Sequence, residues 1–158
     1  MKTLIKILCL SSFLFSFIFS EDIFSFERSY GFGSEKSPLS FISISFSVHP
    51  NDKDELFATL GTVIFGGSLS IGYKRYQNQL SQSSLFYSIS LHTGIYTDNP
   101  NKITAIYPSI GYSLILTEKV NLNIGAGCHL AFKNIGNEFD GKKIFWTPFL
   151  NLTYKFFI

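Results

Sequence analysis

The side chains whose types and spacing could support chemistry are two histidines and one cysteine in the second half of this 158-residue chain. His92 and His129 each lie on the polar face of an alternating segment, where an imidazole could bind a metal ion or act as a general base. A metal site would need further ligands on that face, but Cys128 lies on the other face and no neighbouring Asp or Glu shares theirs. We therefore predict no metal site, and interpret both histidines as hydrogen-bonded interior residues.

The elements that must position these side chains follow from an alternation of apolar and polar residues that runs through most of the chain. In the final segment, 144–158, even-numbered positions are mostly large and apolar while odd-numbered positions are mixed. A period of two indicates β-strands, and no stretch after residue 20 carries a persuasive helical period. The chain is predicted to be all-β, with strands in the segments 22–33, 39–48, 56–77, 84–97, 103–116, 119–132 and 144–158.

The strand number depends on how segment 56–77 is interpreted. Gly66-Gly67 is a favoured two-residue hairpin turn, and splitting the segment there raises the strand count from seven to eight. The apolar phase runs through these glycines unchanged, as it would in one long strand. Short polar connections between successive strands predict an up-and-down antiparallel barrel, which requires an even number of strands when both chain ends lie on one side. We predict eight strands, with six as the alternative.

The first twenty residues are predicted to be a cleaved signal peptide, which leaves 21–158 as one barrel domain. Lys2 and Lys6 precede an apolar run of about fourteen residues, which ends in Ser20 before the acidic Glu21. Removing the two lysines from the 13 basic residues leaves 11, equal to the 11 acidic residues. The mature chain is therefore neutral, so nothing in its charge favours nucleic-acid binding. Cleavage also leaves Cys128 as the sole cysteine, so no intramolecular disulfide is expected.

Alternation alone does not say which face of the barrel meets solvent, because a secreted lipocalin-like barrel has the same period. Segments 84–97, 103–116 and 120–132 contain no Lys, Arg, Asp or Glu, whereas the outer face of a soluble barrel is typically rich in charge. We therefore predict that the bulky face meets lipid and that small neutral side chains line a narrow lumen. Arg28 shares the bulky face, where an Arg at mid-bilayer costs about 2–4 kcal/mol. The polar residues predicted to face the lumen are His92, Asn121, Asn123, His129 and Asn151.

Aromatic residues near the predicted strand ends are consistent with interfacial girdles. They are Tyr76, Tyr87, Tyr96, Tyr107, Phe132, Trp146, Tyr154 and Phe156.

The final strand resembles the C-terminal targeting strand of small bacterial outer-membrane β-barrel proteins. Tyr154 and Phe156 precede a hydrophobic last residue, Ile158, where that family usually ends in Phe. The resemblance implies localisation in a Gram-negative outer membrane, contact with outer-membrane lipid and recognition by the barrel-insertion machinery. Tyr154, Phe156 and Ile158 would form the membrane-insertion signal.

The same resemblance raises one enzymatic possibility, because some small outer-membrane barrels deacylate lipid A. Such deacylases carry a Ser two residues after a His, with a Glu downstream. Here His129 is followed by Leu130 and Ala131, so no nucleophile occupies that position although Glu138 lies downstream. We therefore predict a non-enzymatic barrel without a cofactor, having a structural or surface-interaction role. A small pore or ligand-binding barrel is the alternative, and a secreted lipocalin-like barrel is the second.

Overall fold

A computed structural model of the chain describes residues 24–63, 66–96, 102–135 and 144–157. The predicted signal peptide, Glu138 and Ile158 lie outside these residues. Within them, no helix is long and apolar enough to cross a membrane. The eight strands are β1 (Phe24–Phe32), β2 (Ile42–Val48), β3 (Asp54–Val63), β4 (Gly66–Tyr76), β5 (Ser84–Tyr96), β6 (Lys102–Thr117), β7 (Val120–Ile135) and β8 (Ile144–Phe157).

The strands form a closed antiparallel barrel in sequence order, which confirms the predicted fold class and strand number. Each strand pairs with its neighbours in the chain, and β8 closes the barrel by pairing with β1, for example Phe26 with Phe156. Closure leaves no free edge, so the backbone groups of every strand can be paired within the sheet. We call the end where β1 begins and β8 finishes the lower end, and the opposite end the upper end.

Two predicted boundaries around β3 are wrong in detail, and β2 begins and β7 ends three residues later than predicted. Gly66 and Gly67 are the first residues of β4, where they pair with Val63 and Thr62, so these glycines lie in a strand and not in a turn. Residues 64–65, between the two strands, lie outside the described residues. Glu55, which the predicted strands leave in the polar connection 49–55, is the second residue of β3 and is fully buried. Strand propensity excludes Glu55 from β3, because acidic residues are depleted in strands. Tertiary partners inside the barrel stabilise it there.

The barrel has a polar inside and an apolar outside. Among the described residues, 28 polar or charged side chains are buried, against seven hydrophobic ones. Serine, glycine, asparagine and threonine alternate with large apolar residues along each strand, and closure turns the small polar set inward. The large hydrophobic residues of the strands that remain exposed include Ile44, Phe46, Leu60, Ile71, Leu85, Tyr87, Ile89, Ile110, Leu114, Ile124, Trp146, Leu150, Tyr154 and Phe156.

Not every aromatic residue near a strand end lies on the outer face. Tyr76 and Tyr107 are buried inside the barrel, so their assignment to an interfacial girdle is wrong. The ring of Tyr107 packs over Gly127, where an added Cβ would lie 2.2 Å from a ring carbon. Arg28 is exposed on the outer face, paired in register with Ile44 on one side and Tyr154 on the other.

Candidate functional site

The candidate site is the barrel interior, whose wall is largely made of hydroxyl side chains that bond across neighbouring strands. Ser45 lies opposite Thr59, with their hydroxyl oxygens 2.8 Å apart, and the Ser88 and Ser109 oxygens are 2.7 Å apart. Such pairs satisfy each other where a narrow lumen has little room for water. The inner wall therefore acts as a rigid polar lining.

The connection between β1 and β2 folds down into this lining. We call residues 33–41 the inner loop; it begins at Gly33, whose φ of +66° suits glycine. Ser34, Glu35, Lys36 and Ser37 are each no more than 2% exposed. The Ser70 hydroxyl donates to the Lys36 carbonyl, so the loop backbone is fixed to the barrel wall.

Gly61 supplies the space that the inner loop needs. A Cβ at Gly61 would lie 2.3 Å from the Ser37 hydroxyl oxygen, and that hydroxyl is itself 2.8 Å from the Ser68 hydroxyl. The loop is thus bound on the β3–β4 side of the lumen by specific contacts.

Lys36 carries a positive charge from the inner loop into the lower half of the lumen. Its Nζ donates to the Glu27 carboxylate of β1 at 2.5 Å, to Glu55 of β3, and to the Ser47 hydroxyl at 3.2 Å. Lys155 of β8 lies 3.2 Å from the other Glu27 oxygen. One lysine therefore links three strands of the barrel.

A second ion pair lies nearby, between Lys74 of β4 and Glu35 of the inner loop, at 2.6 Å. We call Glu27, Glu35, Lys36, Glu55, Lys74 and Lys155 the lumen ion network. It holds three cations and three anions, so it is neutral as a unit, and a buried charge is tolerated only when paired in this way.

Aromatic rings fill much of the space around these charges. The Lys74 Nζ lies 3.8 Å from the centroid of Phe86, and the Phe86 and Phe149 rings stack at 6.2 Å. The Tyr76 hydroxyl donates to Glu55 at 3.1 Å. The expectation that small neutral residues line the lumen holds for the wall but is incomplete, because ion pairs and aromatic rings occupy the lumen as well.

His49, in the turn after β2, joins the lower end of this cluster. Its Nε2 is 2.8 Å from the Ser25 hydroxyl, and burial lowers its pKa to about 4, so the ring is neutral at pH 7. With Glu27 and Glu55 it places three atoms of metal-ligand type within 4.8 Å of one another. Lys36 already supplies the positive charge that a metal ion would bring to both carboxylates, so we interpret the group as part of the ion network.

The two predicted histidines lie together inside the barrel, on the β5–β7 side. The His92 Nε2 is 2.9 Å from the His129 Nδ1, and the His129 Nε2 is 3.0 Å from the Thr147 hydroxyl oxygen. Phe145 stacks on the His129 ring at 4.2 Å, and the Tyr107 hydroxyl is 3.1 Å from that of Thr147.

This arrangement puts a hydroxyl beside a base, which is part of what nucleophilic catalysis needs. The third group of a triad is a carboxylate that stabilises the imidazolium, and here the partner of His129 is the imidazole of His92. Both rings are almost fully buried. The geometry is that of a hydrogen-bonded interior pair, and it gives the hydroxyl little assistance as a nucleophile.

The predicted asparagines cluster where β7 meets β8. The Asn123 side-chain amide donates to the Asn151 Oδ1 at 3.2 Å and to the Thr153 hydroxyl at 3.1 Å. The Asn151 Nδ2 is in turn 3.5 Å from the Glu35 carboxylate of the inner loop. Asn123 and Asn151 are buried, and Asn121, in register with Thr153, is half-buried. Two of these predicted lumen residues thus connect to the ion network.

The predicted insertion residues lie on the opposite face of β8. Tyr154 and Phe156 are exposed outward, and their ring centroids are 4.5 Å apart.

Comparison with known proteins identifies the fold and nothing finer. No family model matches the chain, and no curated protein matches it. Among solved structures, the crystal structure of the N-terminal β-barrel domain of Pseudomonas aeruginosa OprF is similar, with a TM-score of 0.57 and 12% sequence identity. The alignment covers 86% of this chain and 98% of that one. The chain therefore has the fold of a small outer-membrane-type β-barrel.

The first prediction concerns the link that Lys36 makes. Lys36→Met should lower the free energy of unfolding by about 3 kcal/mol, because two buried carboxylates lose their shared cation. Adding Glu55→Gln should recover part of that loss, since Lys155 still neutralises Glu27. Urea unfolding in lipid vesicles, followed by the fluorescence of the sole tryptophan, Trp146, measures both changes.

Lys119→Met is the matched control for that experiment, because Lys119 is exposed in the turn between β6 and β7 and its removal should change little. Losses from Lys36→Met and Glu55→Gln that simply add would contradict the shared-cation interpretation.

Proposed function

We propose that the chain is a non-enzymatic outer-membrane barrel with a structural or surface-interaction role. The observation that carries the proposal is the inverted polarity of the barrel: polar side chains fill its interior while large apolar ones cover its exterior. A soluble lipocalin-like barrel needs the reverse, because its exterior meets water and its interior forms the apolar core. A hydrocarbon environment is the solvent in which this exterior is stable.

The topology supports the same environment. Both described chain ends, Phe24 and Phe157, lie at the lower end, as in outer-membrane barrels with an even number of strands. Strands β3 to β8 have 10 to 16 residues, and about 9–11 tilted residues cross a bilayer. In outer-membrane barrels of this kind the chain ends face the periplasm. The lower end would then face the periplasm, and the inner loop would enter the lumen from the cell surface.

A filled interior favours a structural role over transport. The inner loop, the ion network and the rings of Phe86 and Phe149 share the lumen of a barrel whose eight strands leave room for little beyond side chains. Among the described residues, the surface that remains available for interaction is the lipid-facing outer wall. We therefore rank a pore or ligand-binding barrel second, and an enzyme last.

The second prediction tests insertion through the terminal strand. Phe156→Asp should sharply reduce the yield in the outer-membrane fraction, because it places a charge on the apolar face of the strand that closes the barrel. The barrel-insertion machinery would engage this strand while its edge is still unpaired. The yield is measured by fractionation, together with the gel shift on boiling that folded outer-membrane barrels show.

Thr153→Ser is the control for this experiment, since it changes β8 on the inner face and keeps the hydroxyl that bonds Asn123. Wild-type protein recovered in a soluble fraction with no shift on boiling would support the lipocalin-like alternative and overturn the proposal. Equal membrane yields for Phe156→Asp and Thr153→Ser would show that β8 does not present this face to lipid.

The third prediction separates a structural barrel from a pore. Wild-type protein in planar bilayers should give no steady single-channel steps, because the inner loop and the lumen ion network obstruct the path. A large channel-forming barrel added to the same bilayer is the positive control. Steady steps from the wild-type protein alone would reverse our ranking in favour of the pore.

A further inference from the structure

A groove lies on the outer face of the barrel near its lower end, where β4, β5 and β6 meet the adjoining turns. Its volume is about 410 Å³. It combines a basic edge with an apolar floor. The structural role proposed above does not account for this combination. The residues that line it from the outer face and the turns are Lys53, Arg75, Gln77, Leu85, Tyr87 and Ile110. Tyr76 and Phe86, whose rings are buried inside the barrel, complete the lining.

The apolar floor follows from the register of three strands. Arg75 pairs with Tyr87, and Tyr87 pairs with Ile110, so these residues form one row across the outer face. Leu85, Tyr87 and Ile110 are between 49% and 62% exposed, so the floor is open to whatever surrounds the barrel. Because it is continuous with the apolar outer face, this floor suits a hydrocarbon chain.

The basic edge comes from Arg75 and Lys53. The Lys53 Nζ donates to the Gln77 carbonyl at 3.1 Å, which fixes it at the edge of the groove. Arg75 is 47% exposed at its side chain, and its Nη1 lies 3.6 Å from Asp54, too far for a short hydrogen bond. The Tyr73 hydroxyl also accepts a hydrogen bond from the Arg75 guanidinium. The guanidinium carries five N–H donors, so others remain for an incoming anion.

Asp54 is an anion beside this edge, and it offsets only one of the two positive charges of Arg75 and Lys53. The Tyr73 hydroxyl donates to one oxygen at 2.5 Å, and the Asn51 amide donates to the other at 2.7 Å. Two cations beside one hydrogen-bonded carboxylate leave a net positive edge above an apolar floor.

We propose that this groove binds an anionic glycerophospholipid from the leaflet at the lower end of the barrel. The phosphate contacts Arg75 and Lys53, and an acyl chain lies over Leu85 and Ile110. A guanidinium binds phosphate through paired N–H donors, and apolar contact supplies the rest of the affinity. The inference rests on the proposed function, because only in a membrane does the groove meet lipid.

Two other cations on the outside of the barrel sharpen the comparison. Arg28 lies on the outer face between Ile44 and Tyr154, and Lys119 is exposed in the β6–β7 turn at the same lower end. Neither lines the groove. Charge alone therefore does not distinguish the site; the combination of charge and apolar floor does.

The test is native mass spectrometry of the purified full chain in neutral detergent micelles, with phosphatidylglycerol or phosphatidylcholine of the same acyl chains. Wild-type protein should retain phosphatidylglycerol in preference. Arg75→Gln should weaken retention about tenfold, the scale of one charge-assisted hydrogen bond, and Lys53→Gln should weaken it less. Lys119→Gln, the matched control, should match wild type.

Three results would overturn the proposed lipid site: unchanged phosphatidylglycerol retention in Arg75→Gln, an equal loss of retention in Lys119→Gln, or equal retention of both lipids by the wild type. Competition by free glycerol phosphate as strong as that by the lipid would also overturn it, because the apolar floor would then have no part.

The gel shift on boiling and the membrane fraction are measured on the same samples. A normal gel shift without a preference for phosphatidylglycerol contradicts the proposed lipid site and leaves the proposed function standing. Absence of the wild-type protein from the membrane fraction contradicts the proposed function itself.

Discussion

Lys36 is the cation around which the interior of this barrel is arranged. An eight-stranded barrel has a lumen about as wide as its side chains, so a charge inside it finds neutralisation from protein and not from bulk water. The inner loop brings Lys36 to the carboxylates of Glu27 and Glu55, and Glu35, Lys74 and Lys155 complete a neutral set. Each strand around this network must present a small or hydrogen-bonding residue inward, as the serines of β2 and β4 do.

This arrangement accounts for where function can lie. A lumen closed by a loop, ion pairs and stacked rings provides rigidity, and buried ion networks are better evidence for a specific packing than for high stability. The paired histidines add a second hydrogen-bonded cluster on the opposite side of the interior. Among the described residues, what remains open to other molecules is the outer wall, with its apolar face and its basic groove.

Much of this could be predicted from the sequence, because the period of two assigns both the strands and their faces. His92, Asn123, His129 and Asn151 lie inside, on the faces that alternation indicates. The ion network does not follow from the alternation, although Lys74 and Lys155 fall on polar faces, because Glu55 lies in the predicted connection 49–55. The path of the inner loop could not be predicted, because a nine-residue connection has no periodicity. Lys36 contacts Glu55 only because the loop folds into the closed barrel.

The central claim is that the alternating faces of the strands meet lipid outside and packed polar groups inside. Nitroxide labels at successive positions 68 to 74 of β4, in protein with Cys128→Ala reconstituted in lipid vesicles, test it most directly. Collision with oxygen, which partitions into lipid, should be high at Leu69, Ile71 and Tyr73 and low at Ser68, Ser70 and Gly72. Preferential collision of the first three labels with a water-soluble nickel chelate would contradict the account, because the apolar face would then meet water.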